Sequence, residues 1–476
     1  MLATIRAELV SHNRLIDTVQ TVKALLSAIE QRLDEPTTKG LAHAVSATIR
    51  AGDLGPGDRL PPIRTVAAEL GLSPTTVSAA WALLRRSGTV ATDGRRGTTI
   101  LDTRGRTEPG TTRYRQALDH RGIALDLSTG VPDPALLPDL RAALRAVTAA
   151  APTGSYLDDP LLPELADILR SDWPVRDAQL TVVDGAMDAL DLVARSLLGF
   201  GDRVVVEDPG FPPLLDLLES LGVEVVGVPV DDEGLELDGL RATLARGIRA
   251  VFVQPRAQNP TGVTMSRRRA KSIADLLAGT DCLVVEDDSA YGLSQSPLVS
   301  VGRWLPERTV HIRSFSKAYG PDLRLAALGA PAEVHRAISL RRQLGQGWSS
   351  RLLQQVLVSL LTREPSRRAV AKASQTYAAR RAQFVRRLRE HGVGVGGVEG
   401  LNVWVPVVDE TAAVVRLASL GVGVAAGSPF RVARSTDPVG GHVRVTVGAV
   451  PKDRAAELAD LVAAAARPLG SSRLAR

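Results

Sequence analysis

Val310-His311-Ile312-Arg313-Ser314-Phe315-Ser316-Lys317 runs from a β-branched apolar stretch into a lysine preceded by two serines. Read as a strand and the turn after it, this octapeptide puts Lys317 at a strand end, the edge where open α/β sheets bind ligands. Lysine is scarce: six of the 58 basic side chains are lysine and the rest arginine, so a lysine at a strand end is a candidate nucleophile. Outward from it, Leu180–Val183, Arg203–Glu207, Val223–Pro229, Arg249–Gln254 and Cys282–Glu286 are further short apolar runs, separated by helix-like segments. The alternation predicts an α/β fold with a mainly parallel central sheet and helices on both faces. Beyond about residue 330 come long Arg-rich helical stretches, then Leu401–Pro406 and His442–Val447 as strands, predicting a small C-terminal α+β lobe.

A lysine in such a cleft can condense with an aldehyde cofactor if its surroundings lower its pKa. Pyridoxal 5'-phosphate would further need a carboxylate for its ring nitrogen, a donor for its phenolate oxygen, a flat face and an anion cup. Asp287 follows an apolar strand and is a candidate for the first, and Asn259, in Asn259-Pro260-Thr261-Gly262, for the second. Phe211, in Asp208-Pro209-Gly210-Phe211-Pro212, offers the face. Gly185-Ala186-Met187 opens a helix after a strand and offers backbone N–H groups to a phosphate, helped by Ser314 and Arg324. Singly, each motif has an ordinary reading as a turn, a core aromatic or a helix cap; their order carries the signal.

That order resembles fold-type I aminotransferases from about residue 125 to 465. The resemblance implies that Tyr156 reaches the phosphate of a neighbouring subunit, hence a homodimer, and that Arg444 holds a substrate or effector carboxylate bidentately. Ala186 stands where the family often has Ser or Thr, so backbone donors must suffice in the cup. Asp287 and Asp288 are adjacent, and a tyrosine three residues on is Tyr291 only if Asp288 is chosen. Asp287 is favoured as the direct continuation of the strand, with Tyr291 as a further phenolate contact.

The N-terminal third reads differently. Leu41–Gly52 is helical, Leu54 to Pro62 is a rigid turn, Ile63–Leu70 is a second helix stopped by Gly71, and Ser73 caps a third with Pro74 at its first position. Two helices across a glycine-containing turn are helix-turn-helix geometry. Ser73, Thr75, Thr76 and Ser78 present hydroxyls suited to a major groove, while Val77, Ala80, Trp81 and Leu84 form the buried face. A hairpin over 88–100 would lift Arg95 and Arg96 as a wing onto phosphates or a minor groove. Eight arginines against three acids over 81–115 add a basic patch able to draw a polyanion. The stretch from Leu41 to Gly97-Thr98 resembles the winged helix of GntR-type regulators, which implies that Arg64, Thr75, Thr76, Arg95 and Gly97 sit at the surface of double-stranded promoter DNA.

Length bounds the rest. The 476 residues suit about three folding units, and 44% apolar with 23% charged residues is a globular composition. No apolar run reaches the length of a membrane span, and Arg6 and Glu8 interrupt the first apolar stretch, so neither a membrane protein nor a signal peptide is read and a cytoplasmic location is expected. Cys282 is the sole cysteine, which excludes intrachain disulfides and thiolate metal clusters; no metal is expected. The expected organisation is an amphipathic helical extension over 1–39, the winged helix over 40–101, a linker over 102–122 and the pyridoxal-phosphate domain over 123–470. Leu15, Val19, Val22, Leu26, Ile29 and Leu33 form the extension's apolar seam. Taken together the chain resembles the MocR/GabR subfamily of GntR regulators, which implies a DNA-binding regulator whose aminotransferase-like domain senses pyridoxal phosphate, an amine or an amino acid. Its alternative is a working aminotransferase with an appended DNA-binding module. A third reading, a structural DNA-binding protein with an idle large domain, leaves lysine, aspartate and phosphate cup without a purpose.

Overall fold

The computed structural model describes residues 23–51, 53–55, 57–86, 90–93, 97–100, 112–113, 123–147, 154–432 and 441–467. Most of the expected linker, both wing arginines and the first half of the N-terminal seam lie outside these. The chain divides into two compact units: one takes in residues up to Gly110 with 199–202 and 218–224, the other the remainder.

In the first unit a helix over 23–30 buries Leu26 and Ile29, so the described part of the seam docks on its neighbours as its spacing predicts. Helices Thr38–Ala51, Ile63–Glu69 and Pro74–Arg86 follow. Gly71, at φ +64°, supplies the left-handed residue that turns the second helix into the third. Leu41, Val45, Val66, Val77, Ala80, Trp81, Leu84 and Ile100 close the core, which contains every residue expected on the buried face of the third helix. Val90–Asp93 and Gly97–Ile100 pair antiparallel, with Asp93 opposite Gly97. Arg59–Leu60, read from sequence as part of a turn, adds a third strand opposite Thr98 and Thr99.

The second unit is built on a mixed eight-stranded sheet in the order Gln179–Val183, Ala326–Ala330, Thr309–Ser314, Leu283–Asp288, Ala250–Val253, Arg203–Asp208, Glu224–Asp231, Gly234–Leu235. The four strands from Thr309–Ser314 to Arg203–Asp208 are parallel. They are almost wholly buried, which is why they read as short Val-rich apolar runs with polar residues at their ends or, in Thr309–Ser314, between them. Ala326–Ala330 runs antiparallel to both neighbours. It has no β-branched residue and sequence reading missed it. Its small side chains make room for packing: the Trp173 indole lies 2.4 Å from where a Cβ on Gly329 would be.

The C-terminal lobe pairs Asn402–Val407, Gly441–Thr446 and Ala425–Ala426 in one antiparallel sheet. A single helix, Glu364–Glu390, belongs to two cores, burying Val370 beside Phe315 and Val356 and burying Phe384 and Leu388 among the lobe's valines. The described helices include none long and apolar enough to cross a membrane.

Candidate functional site

Strand Thr309–Ser314 runs one residue beyond the expected Val310–Arg313 at each end, and Ser316–Tyr319 makes one helical turn closed by Gly320 at φ +108°. Lys317 on that turn faces a cavity of about 210 Å3 that it lines with Phe211, Asn259, Asp287, Ser314 and Arg444. Its Nζ lies 3.4 Å from Ser289 Oγ. Burial holds the Lys317 ammonium below the usual lysine range; Asp287 opposes this and Arg444 reinforces it. A lysine so placed keeps more of its free base near neutrality, as a nucleophile requires.

Strand Leu283–Asp288 extends two residues beyond its expected end and includes both aspartates, whose side chains leave on opposite faces. Asp288 receives Arg256 through both oxygens, Nε at 3.1 Å and Nη2 at 2.5 Å, and is absent from the cavity wall. Asp287 Oδ2 accepts from Gln254 Nε2 at 2.7 Å, while its Oδ1 is buried with no hydrogen-bond partner among the described residues. Burial raises the Asp287 pKa; the Gln254 bond and Lys317 pull it back.

Asn259 Oδ1 accepts from Arg444 Nη1 at 3.0 Å and from Asn402 Nδ2 at 3.4 Å, so the amide nitrogen is the end left to donate into the cavity. Arg444 also donates to the Ser128 carbonyl and lies 4.8 Å over the Phe430 ring. Its guanidinium is buried and faces the same space as Lys317.

At the other end of the cavity Gly185 caps helix Ala186–Leu197. Its φ of +101° demands glycine, and a Cβ there would stand 3.0 Å from Arg324 Nη2. Arg324, itself left-handed at φ +49°, donates to the Asp184 carbonyl at 3.0 Å. Ala186, Met187, Ser314, Ser316 and Arg324 therefore line one pocket end with helix N–H groups, hydroxyls and a cation.

Three expected residues are not on the cavity wall: Gly185, which caps the helix whose first residues are, and two tyrosines that pack elsewhere. Tyr291 is not on the cavity wall; its ring packs edge-on to Phe315 at 5.6 Å and under the Arg313 guanidinium at 4.3 Å. Tyr156 is 88% exposed, touching Trp348 edge-on at 5.6 Å, and does not enter this chain's own cavity. Sequence reasoning overlooked Gln254, Ser289 and Phe430; Gln254, last residue of an apolar run and five before Asn259, was the one with a visible signal.

On the third helix of the N-terminal unit, Ser73 Oγ accepts from the Thr76 backbone N–H at 3.0 Å, so Ser73 is a helix cap. Its hydroxyl also meets those of Thr75 at 2.7 Å and Thr76 at 2.8 Å. Arg64, Thr75, Ser78 and Gly97 are exposed and Thr76 half-buried. Arg95 and Arg96 lie outside the described residues.

The donor set of the cavity fits pyridoxal phosphate. A buried carboxylate oxygen lacks a partner, a glycine cradle would be filled by any Cβ, and a depressed lysine stands in the same space. Bound there, the cofactor supplies an aldehyde for the lysine and an electron-withdrawing ring.

The comparisons with known proteins agree. Residues 123–462 match the aminotransferase class I and II family and residues 37–100 the bacterial regulatory proteins of the gntR family. The vitamin B6 salvage pathway transcriptional repressor PtsJ of Salmonella typhimurium is 34% identical over 84% of this chain and 92% of its own. The pyridoxine biosynthesis transcriptional regulator PdxR of Corynebacterium glutamicum is 31% identical over 73% of this chain and 78% of its own. In fold, the Thermus thermophilus α-aminoadipate aminotransferase LysN, complexed with N-(5'-phosphopyridoxyl)-L-leucine, superposes with a TM-score of 0.67 at 22% identity, covering 75% of this chain and 94% of that one. A gntR domain ahead of a complete aminotransferase fold, in a chain this similar to whole regulators, places the protein among the MocR/GabR-type GntR transcription regulators, whose large domain binds pyridoxal 5'-phosphate.

Proposed function

We propose that this regulator uses the Lys317 cleft as a sensor of vitamin B6 status, with pyridoxal phosphate as the signal and a carboxylate-bearing amine as a second ligand at Arg444. The observation that carries the reading is the convergence on one cavity of Lys317, the unpartnered Asp287 oxygen, the Asn259 amide and the Ala186-Met187 helix start with Arg324, which packs against Gly185. Each has a distinct part of the cofactor to hold: aldehyde, ring nitrogen, phenolate and phosphate. The names of the Salmonella and Corynebacterium relatives favour genes of B6 supply as the target. A ligand that contacts two arrangements of the protein unequally shifts their populations, which is all a sensor requires.

The active form is proposed to be a cytoplasmic homodimer on double-stranded DNA. Tyr156, Leu157 and Leu344 are exposed apolar residues, and Leu157 and Leu344 stand 95% and 90% clear. Arg351 ties the segment bearing the first two to its own helix through the carbonyls of Asp158 and Asp159. A second copy covering these side chains would remove the exposed patch and bring Tyr156 toward the partner's cleft. The test is operator binding by the full chain with and without pyridoxal phosphate and a panel of amines, repeated with Lys317→Ala. Ligand-dependent affinity that the variant loses supports the sensor; affinity indifferent to every ligand sinks it. Sustained transamination between amino and keto acids, on the order of one turnover per second or more, would favour an enzyme carrying a DNA-binding module.

A further inference from the structure

A second carboxyl group is buried behind the ring-facing wall of the cleft. Glu207, 6% exposed on strand Arg203–Asp208, is not on the wall of the Lys317 cavity. Its Oε2 accepts from the backbone N–H of Gln254 at 3.1 Å. The Gln254 side chain carries the link onward: Nε2 donates to Asp287 Oδ2 at 2.7 Å, and Oε1 accepts from the Asn259 backbone N–H at 2.8 Å. The partners orient this amide, because only its oxygen can receive the Asn259 N–H and only its nitrogen then faces the carboxylate. One side chain thereby sets both groups assigned to the cofactor ring.

Glu207 and Asp287 also border a common void of about 20 Å3 whose remaining walls are mainly apolar, among them Leu190, Leu214, Phe252 and Val285. Solvent does not screen the pair. Burial, reinforced by the Asp287 charge, pushes the Glu207 carboxyl up to about 8, and the bonds from Gln254 and Gln258 only partly offset this. The other charged or titratable groups facing the pair are Lys317 and His311, which favour ionised Asp287, and Asp288, which Arg256 neutralises. A neutral Glu207 leaves Asp287 as the one negative charge available to a ring nitrogen.

We propose that Glu207 is a positioning residue which, acting through Gln254, fixes the Asp287 carboxylate toward the ring nitrogen of the cofactor and so sets how tightly, and over what pH range, the ring is held. The inference rests on the pyridoxal-phosphate reading of the cleft. It is tested on the full chain by titrating pyridoxal phosphate on both sides of pH 8, following affinity and the absorbance of the bound cofactor. Gln254→Met keeps the volume and removes the hydrogen bonds; affinity is expected to fall about tenfold, as for losing a bond to a charged group. Glu207→Gln keeps a neutral polar group; affinity at pH 7 is expected to stay within about twofold of wild type, while a step in the absorbance profile near pH 8 disappears. A purely structural role would leave that profile alone. The proposal is overturned if the Glu207→Gln profile superimposes on wild type, or if Gln254→Met holds the cofactor as tightly as wild type does. Failure of the underlying reading has its own signature: Lys317→Ala would then bind and absorb as wild type does.

Discussion

Asp287 and Asp288 are neighbours in one strand and face opposite ways, the first toward Lys317 with a bare oxygen, the second into a two-bond clamp from Arg256. Adjacent, chemically identical side chains thus receive different tasks from the pleat alone. Asp288→Ala strands a buried guanidinium and is expected to cost about 3–5 kcal/mol of stability, read by denaturant unfolding. Asp287→Asn keeps the shape but removes the charge. It is expected to lose cofactor affinity by tenfold or more, on the order of one charge-assisted bond, with unfolding changed far less. Equal destabilisation by the two variants would refute this division of labour.

Gly185 ties backbone conformation to the phosphate end of the cavity. Gly185→Ala forces a Cβ into the positive-φ region and against Arg324, 3.0 Å away. Strain of about 1–3 kcal/mol is expected, with Arg324 displaced from the cup. Pyridoxal phosphate should therefore bind more weakly while pyridoxal, which lacks the phosphate, binds unchanged. A parallel loss for both ligands would mean that the cup does not hold the phosphate.

The order of motifs along the chain was legible because each strand end carries its own local signature: Ala186, Phe211, Asn259, Asp287, Ser314 and Lys317 all line one cavity. What joins the strands was not legible. Arg444 meets the Ser128 carbonyl across 316 residues of sequence, and Gln254 is read as one more residue of an apolar run until sheet register puts it beside Asp287. Tyr291, named from its spacing to an aspartate, packs against Phe315 and Arg313 and is not on the cavity wall, a placement set by packing and not by spacing. Strand Ala326–Ala330 was invisible for want of β-branched residues; it lies between Gln179–Val183 and Thr309–Ser314, with Trp173 against Gly329.

On the N-terminal unit, neighbouring hydroxyls separate stability from recognition. Ser73→Ala removes the cap on Thr76 and is expected to cost about 1 kcal/mol of stability. Thr75→Ala is expected to leave unfolding almost unchanged and to weaken operator binding. Arg64→Ala should weaken binding to all sequences alike and lower the salt slope by about 1. Competition binding at several salt concentrations distinguishes the last two, and a Thr75 variant that binds its operator normally would remove this helix from base contact.

His442 gives the protein an acid-side sensitivity independent of the cofactor. Its ring stacks on Trp404 with centroids 4.8 Å apart and planes 8° from parallel. Burial first, and Arg431 second, lower its pKa from 6.5 to about 4, with Glu410 opposing. The folded state therefore resists a proton that the unfolded chain accepts. The stability this contributes is complete above about 6.5 and is lost as pH falls through the window down to about 4. The loss is at most about 3 kcal/mol before solvent screening trims it. His442→Phe keeps an aromatic ring on Trp404 and cannot titrate, so the difference between variant and wild-type unfolding free energies should change across that window and be flat above it. A difference that stays constant through the window would mean His442 is already protonated, or freely hydrated, in the folded protein.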